Sequence, residues 1–329
     1  MSPVTILVAS VGRQRYLVDA FTAACGSGGR VLACDHDPLA AGGAVATRFF
    51  RAPRFDGPDY GRWLLELCRD EGVTLLLTLN ADELVRLEAL RPALANGGTT
   101  LLGMPTPLLT TCLDKGRLGE LSEGTGLRVP TAWPGDAWRD VPADAYPLLA
   151  KPRGGRGSRG LTVLETPAAA AALAADRGDA LADLLLQRRL DGTEYGLDLV
   201  NDLQGRPAAV LVRRKLRMRG GETDVAETVR DDALEAAGRR LAARLGHQGL
   251  VDVDVVRAGG VDHLIDVNPR FGGGYVFSHA AGANVPAAIV AWARGREPEA
   301  AWLAAEPGVV HARVSSLQRL RADEPPAPA

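Results

Sequence analysis

Residues 148–165 read LLAKPRGGRGSRGLTVLE. An apolar run ends on Lys151, four glycines follow within seven positions, and a second apolar run begins at Leu161. Gly155-Arg-Gly157-Ser-Arg-Gly160 satisfies the pattern G-x-G-x-x-G. The dinucleotide-binding reading of that pattern needs a helix directly after the loop, because the pyrophosphate rests on the helix N-terminus. Leu161-Thr-Val-Leu-Glu165 reads as a strand instead, so that reading is rejected. What remains is a glycine loop between two strands. Its backbone N–H groups can fold over phosphate oxygens with no side chain in the way. Lys151 adds a point charge and Ser158 a hydroxyl donor, with Arg156 and Arg159 beside them. A basic surface hairpin would have the same letters, so the loop does not decide the matter alone.

Working outward, the chain divides by texture. Thr5–Ala9, Arg30–Cys34 and Val73–Leu79 are short apolar strands, and Arg15–Ala24, Trp63–Glu71 and Ala81–Leu90 carry helical patterns. This alternation predicts a parallel sheet covered by helices over about residues 1–105. Pro105 and Pro107 close it, and a helix is expected around Thr110–Glu123. After Tyr146 short strands alternate with glycine-rich turns: Pro147–Lys151, Leu161–Leu164, Leu184–Leu190, Tyr195–Val200 and Ala208–Arg214. Asp231–Leu245 reads as a helix. The fold class is thus α/β, turning to α+β in the C-terminal half. The expected divisions are 1–105, a central helix and lid at 106–190, a C-terminal domain at 191–320, and a disordered tail at 321–329.

Leu250-Val-Asp-Val-Asp-Val-Val256 and Val261-Asp-His-Leu-Ile-Asp-Val-Asn268 both alternate apolar and polar residues and form a hairpin around Ala258-Gly-Gly260. With a three-residue loop at Gly259–Val261, Asp254 lies opposite Asp266 and Asp252 opposite Asn268. Facing side chains sit about 5 Å apart. Two carboxylates that close call for a cation. Magnesium, which takes oxygen ligands, suits an Asp/Asp/Asn set, whereas zinc would want His or Cys. A solvated acidic face is the plain alternative. Asn268-Pro-Arg270 then ends the acidic strand on a guanidinium, followed by Phe271-Gly-Gly-Gly274. An Arg beside a metal–phosphate site can hold a transferring phosphoryl group or a substrate carboxylate.

Bulk numbers bound these readings. A chain of 329 residues, 46% hydrophobic and 24% charged, is a folded protein of two or three domains. A net charge of −2 argues against general attraction to nucleic acid or to an acidic membrane. No apolar run reaches the length of a membrane span, and the start has no signal-peptide pattern. Cys25, Cys34, Cys68 and Cys112 form no Cys-x-x-Cys pair and read as buried reduced thiols, consistent with a cytoplasmic location.

These motifs, in this order over about residues 4–290, resemble the ATP-grasp superfamily, in particular its carbamoyl-phosphate-synthase-like branch. ILVASVGRQRYLVDAF resembles the first strand and helix of its N-terminal domain, TLNADELVRL its strand-end acidic motif, and LLAKPRGGRGSRG its lysine strand and lid loop. CLDKGRLGELSEGTGLRVP resembles the helix carrying the first ATP-contacting base, which falls on Lys115, with Lys151 the second. LLLQRRLDGTEYGLDLV is similar to the hinge that receives adenine, so the resemblance implies nucleotide contacts at Gln187, Arg189 and Leu190, and at Glu194 towards ribose. It implies magnesium ligands at Asp254, Asp266 and Asn268, with manganese as a stand-in, and ATP held by Lys115, Lys151, Gly155, Gly157 and Ser158. Two positions depart from the pattern: Asp266 stands where Glu is frequent, and Arg188 where an acid is frequent.

The implied activity is an ATP-dependent ligase that forms an acyl phosphate on a small carboxylate and couples it to an amine. Lys151 and Arg270 would act on the transferring group. Arg213, Lys215, Arg217, Arg270 and Gly273 would meet the substrate. The basic stretch Arg213–Arg219 suits an anion, with a solvated charged loop as the alternative. The expected partners are small molecules, with a homodimer the one protein partner left open. A kinase-like phosphotransferase and a non-catalytic nucleotide sensor are the rival readings. His247, His263 and His279 read as structural or surface residues.

Overall fold

The structure, a computed structural model, describes residues 3–155 and 160–320. The expectations for Gly157, Ser158 and the 321–329 tail therefore lie outside the described residues.

The first sheet is parallel. It contains β1 (Val4–Ala9), β2 (Gly29–Asp35), β3 (Arg48–Arg51), β4 (Leu75–Thr78) and β5 (Thr100–Leu101), in the order β3-β2-β1-β4-β5. Every residue of β1 is buried, which is why VTILVA is apolar almost throughout rather than alternating. Helices α1 (Arg15–Cys25), α2 (Tyr60–Asp70) and α3 (Ala81–Asn96) connect the strands. Asn80 caps α3 by accepting from the Asp82 and Glu83 backbone N–H groups. α3 runs six residues beyond the expected end at Leu90 and includes Pro92.

The single helix expected around 110–123 is broken. α4 (Thr106–Leu113) stops at Asp114, whose backbone is extended and whose carboxylate accepts from Gly116 N, and α5 (Leu118–Ser122) resumes after one tight turn. The break matters because it presents Lys115 to the next sheet: Lys115 N donates to Arg153 O at 2.9 Å.

A four-stranded antiparallel sheet follows, β6 (Ala132–Pro134), β7 (Leu148–Pro152), β8 (Thr162–Leu164) and β9 (Leu184–Arg188), in the order β6-β9-β7-β8. With α6 (Pro167–Arg177) it has its own small core around Leu148, Leu164, Leu181 and Leu186. The third sheet holds β10 (Thr193–Asn201), β11 (Pro207–Arg219), β12 (Glu222–Val229), β13 (Gly249–Ala258), β14 (Val261–Asn268) and β15 (Val310–Ala312). Its order is β14-β13-β10-β11-β12-β15, antiparallel throughout. The divisions drawn at 105 and 190 fall between sheets. β3, β5, β6, β12, β15, α6 and two helices near the C-terminus, α8 (Tyr275–Ala280) and α9 (Val285–Ala293), were not among the sequence-based expectations.

α7 (Asp232–Leu245), capped by Asp231 and ended by left-handed Gly246, covers one face of the third sheet. Leu197, Leu199, Val210, Val253 and Val255 of that face form one core with Leu234 and Leu241 of α7. The opposite face is mixed. At one end Val200, Ala209, Leu211 and Leu250 pack with Ile6, Val8 and Phe21 of the first domain. At the other end the face is charged.

The acidic hairpin has the expected pairing by an unexpected route. Asp254 faces Asp266 and Asp252 faces Asn268. The turn, however, has two residues, Gly259 and Gly260, both at positive φ, and Ala258 pairs with Val261. Continued evenly, that turn would set Asp254 against Ile265. A bulge between Asp254 and Val255 leaves Ile265 unpaired and brings Asp266 back opposite Asp254.

His247 is fully buried and structural. Its Nε2 meets Leu199 O at 3.0 Å and its Nδ1 faces Asn201 Nδ2 at 3.4 Å, an arrangement that suits the neutral ring with Nε2 protonated. Burial pulls its pKa down to about 4. An unfolded histidine titrates near 6.5, so the unfolded chain takes up a proton that the folded chain refuses. Stability should therefore be full above that value and fall as pH drops towards 4. Melting temperature followed from neutral to acidic pH should show this loss, and His247→Gln, which cannot charge, should flatten the profile over that interval.

Candidate active site

The charged face of the third sheet is built by register. Residues two apart on a strand share a face, and directly opposed residues on neighbouring strands share it too. Gly196 of β10 lies opposite Asp254 on one side and Arg213 on the other, while Asp198 lies opposite Asp252. Asp266 and Asn268 extend the same face onto β14. Three cations answer the acids. Lys215 Nζ sits 2.7 Å from Asp254 Oδ1 and 3.8 Å from Glu194 Oε2. Lys115 Nζ sits 3.1 Å from Asp266 Oδ1 and donates to Gly155 O at 3.0 Å. Arg213 lies between Asp198 and Asp252, at 2.6 and 2.5 Å.

The second sheet supplies the opposite wall. Lys151, at the end of β7, donates to Gln187 Oε1 on neighbouring β9 at 2.8 Å. Burial lowers the Lys151 pKa to about 8, with Asp266 opposing that shift and Lys115 adding to it. Lys151, Lys115, Asp254 and Asp266 therefore lie near enough to feel one another's charge although they come from four segments. On this wall Gln187 is 2% exposed, and its Nε2 has no acceptor among the described residues. An unpaired buried donor is costly in a finished core but is what an acceptor-bearing ligand would use.

The remaining expected nucleotide contacts are less enclosed. Arg188 N and Arg189 N bond Thr131 O and Pro147 O. The Arg189 side chain turns outward, 3.8 Å from Glu165. Leu190 is half-buried, and the Glu194 side chain is 44% exposed above Lys215.

One substrate expectation needs correction. Arg213 is 1% exposed and held between its two aspartates, so it faces no ligand. Burial opposes its charge, but Asp198 and Asp252 outweigh burial and raise its pKa. Arg217 lies further along β11, its side chain 57% exposed and paired with Asp224 at 2.6 Å. Lys215 is in the cluster, but bound to Asp254. Arg270 bonds Phe271 O at 2.8 Å and keeps a buried Nε with no partner among the described residues. Gly273 O accepts from Arg313 Nη2, and Arg313, which the sequence reading passed over, also pairs with Glu222 at 3.0 Å.

Asp254, Asp266 and Asn268 lie together, as oxygen donors suited to a hard cation. Among the described residues no three His, Cys, Asp or Glu side chains converge as a metal group, so phosphate oxygens would have to complete the shell. The residues the sequence reading missed are Asp198, Ser278 and Gly196. Asp198 and Ser278 look like an ordinary strand acid and an ordinary helix hydroxyl. Gly196 in mid-strand was the available signal, since glycine there marks close approach of another group. A separate cavity of about 370 Å³ opens at the carboxyl ends of β1, β2 and β4, lined by Ser10, Asp35, Arg54, Tyr60 and Glu83. Its polar groups largely serve one another: Tyr60 and Thr78 donate to Glu83, and Arg54 forks onto Asp56.

Two family models match the chain, one towards each end. "PylC-like, N-terminal domain" covers residues 6–102, and "ATP-grasp in the biosynthetic pathway with Ter operon" covers residues 180–317. The arginine-specific large chain of carbamoyl phosphate synthase from Geobacillus stearothermophilus is 27% identical over 191 residues, 54% of this chain but only 18% of that protein. The match thus spans about a fifth of that relative's length. Among solved structures, N5-carboxyaminoimidazole ribonucleotide synthetase from Thermus thermophilus is similar at a TM-score of 0.71 and 18% identity, over 93% of this chain and 81% of that one. Biotin carboxylase from Campylobacter jejuni, as its β,γ-ATP complex, is similar at 0.72 and 14%, over 94% and 75%. The biotin carboxylase domain dimer of Hydrogenobacter thermophilus 2-oxoglutarate carboxylase, with MgADP, ADP and bicarbonate, is similar at 0.69 and 16%, over 89% and 70%. The architecture is that of ATP-grasp, with a parallel N-terminal sheet, a small lid sheet and a C-terminal antiparallel sheet.

The cleft makes a pH-dependent prediction. The ordinary lysine value is 10.5, and burial brings Lys151 to about 8. Only the protonated form meets phosphate charge. ADP affinity by calorimetry should hold below that pH and decline above it. Lys151→Arg should remove the decline, and Lys151→Ala should weaken binding by roughly 1.5–3 kcal/mol at neutral pH.

Proposed function

We propose that this chain is an ATP-dependent ligase that activates a small carboxylate as an acyl phosphate and passes it to an amine, releasing ADP and phosphate. The observation that carries the reading is the meeting of Lys115, Lys151, Asp254 and Asp266 across one cleft between the lid sheet and the third sheet. Such a cluster suits a polyphosphate with its cation: phosphate oxygens would take over Lys115 and Lys151, and the cation would take the place of the lysine contacts at Asp266 and Asp254. Asp254, Asp266 and Asn268 would hold magnesium, which would supply positive charge against the charge that develops as the γ-phosphoryl group moves.

The chain's own residues do the rest by placement. Lys115 is tethered to the loop at Gly155 O and to Asp266, so it joins the two walls. Gln187 offers its unpaired Nε2 from the base of the hinge. Arg270 follows the acidic strand directly, and this place supports its assignment as the guanidinium for the transferring group or the substrate carboxylate. The substrate oxygen attacks the γ-phosphorus and ADP leaves. The amine then attacks the acyl carbon, phosphate leaves, and the amine gives up a proton. Water kept away by the lid would spare the acyl phosphate.

A second reading is favoured by the carboxylases among the similar structures: the activated acid would be bicarbonate, and the product a carboxylated amine. Hydroxylamine separates the two. With MgATP and the correct acid, hydroxylamine in place of the amine should give a hydroxamate, with ADP and phosphate as co-products. ADP release that depends on bicarbonate alone would favour the second reading. A stable phosphorylated product unaffected by amines would favour a kinase-like enzyme, and AMP formation would sink all three. Arg270→Ala should lower the rate of hydroxamate formation by roughly 100-fold or more, the scale of losing one positioned donor, while ADP affinity changes little. Asp266→Asn should leave the fold intact and abolish turnover.

A further inference from the structure

Next to the proposed site, one pair along the same strands, lies an enclosed charge group. Asp198 and Asp252 face each other on β10 and β13, 0% and 8% exposed. Arg213 reaches both from β11 by lying across Gly196, its register partner, where a Cβ would come within 2.8 Å of the guanidinium. A Cβ at Gly274 would collide with Arg213 from the other side, and one at Gly272 would collide with the Asp252 carboxylate. Ser278 Oγ donates to Asp198 Oδ2 at 2.7 Å. Buried ion groups of this kind rarely stabilise a fold more than apolar residues of the same volume would. Three glycines and a serine nevertheless make room for this one.

One atom leads out of the enclosure. Asp252 Oδ1 takes Arg213, and Asp252 Oδ2 faces Asn268 Nδ2 at 3.5 Å. A carboxylate oxygen accepts from an amide NH2 group and repels an amide oxygen. The contact therefore selects one of the two ways the Asn268 amide can lie. With Nδ2 turned to Asp252, Oδ1 is the end left for a cation. A cation takes the oxygen of an amide and not its nitrogen.

We propose that Arg213 and Asp252 are positioning residues: Arg213 fixes the Asp252 carboxylate, and Asp252 holds the Asn268 amide with its oxygen presented to the cation shared with Asp254 and Asp266. This rests on the magnesium assignment above, and the test separates the two.

Magnesium is titrated calorimetrically into the protein–ADP complex, and ADP affinity is measured separately without metal. Asp252→Asn should weaken magnesium binding by about tenfold or more, the scale of losing a partner that orients a ligand, and leave metal-free ADP affinity unchanged. Adding Asn268→Asp to Asp252→Asn should restore most of the loss, because a carboxylate has two equivalent oxygens and needs no orienting. A purely structural defect would not be rescued by moving the charge. Wild-type magnesium affinity in Asp252→Asn, or no recovery in the double variant, overturns the proposal alone. Undiminished affinity in Asp266→Asn overturns the magnesium assignment and the proposal with it. Should Asp252→Asn fail to fold, Arg213→Lys carries the test. It keeps a buried positive charge but cannot fork over two carboxylates, and it should also bind magnesium more weakly. Wild-type affinity there overturns the proposal.

Discussion

Like charges on one face of one sheet are the constraint around which the C-terminal half is arranged. Asp198 faces Asp252, and Asp254 faces Asp266, on three neighbouring strands. Left alone, such pairs would push the strands apart. Two kinds of cation answer them. Arg213 and Lys215 come from β11 within the same sheet, so their attraction adds to the ladder that already joins β10 and β11. Lys115 comes from outside the sheet, so its attraction to Asp266 joins separate parts of the chain.

That difference separates what is rigid from what can open. The first and third sheets share continuous apolar cores, including Val8 with Leu211 and Leu250, and Leu7 with Leu197 and Val253. The lid sheet has a core of its own around Leu148 and Leu186. Its ties to the rest near the cleft are polar: Lys115 N to Arg153 O, Arg153 to Asp114 at 2.9 Å, and Lys115 to Gly155 O. Partly exposed polar ties exchange with water at small cost, whereas separating an apolar core costs about 25 cal/mol per Å² exposed. The lid sheet is thus held near the third sheet by charges, while the first and third sheets are fixed to each other by apolar cores.

Much of this was legible in the sequence where one local rule dominates. Fully buried parallel strands read as apolar runs, so β1, β2 and β4 were placed to within a residue or two. The lysine strand and the acidic hairpin were legible because charge interrupts apolar alternation at fixed spacing. Other parts were not, and three of them show why. β12, Glu-Thr-Asp-Val-Ala-Glu-Thr-Val, carries five polar residues in eight and pairs with β11 and β15. α9 is apolar nearly all round, seven of its nine residues being buried, and such a run has no helical period to read. Arg213 was assigned to substrate because alternation places a side chain on a face but does not say whether that face is covered. Its cover comes from Gly272–Ser278, a segment far along the chain.

The acidic hairpin shows how a correct pairing can rest on a wrong turn. A three-residue loop gives Asp254 opposite Asp266 by counting, and the actual two-residue glycine turn does not. Period two makes a one-residue slip total: every side chain changes face. With the observed turn and an even ladder, Ile265 would stand over Asp254, and Asp266 would point towards the apolar side that Val253 and Leu264 share with α7. The unpaired Ile265 absorbs the slip within the strand, so that Leu264 stays in the core and Asp266 stays in the cleft. The core and the cleft thus make opposite demands on one short strand, and the bulge is where both are met. A tight glycine turn fixes the outer half of the hairpin, the facing acids fix the inner half, and the extra residue between them lets each keep its own register.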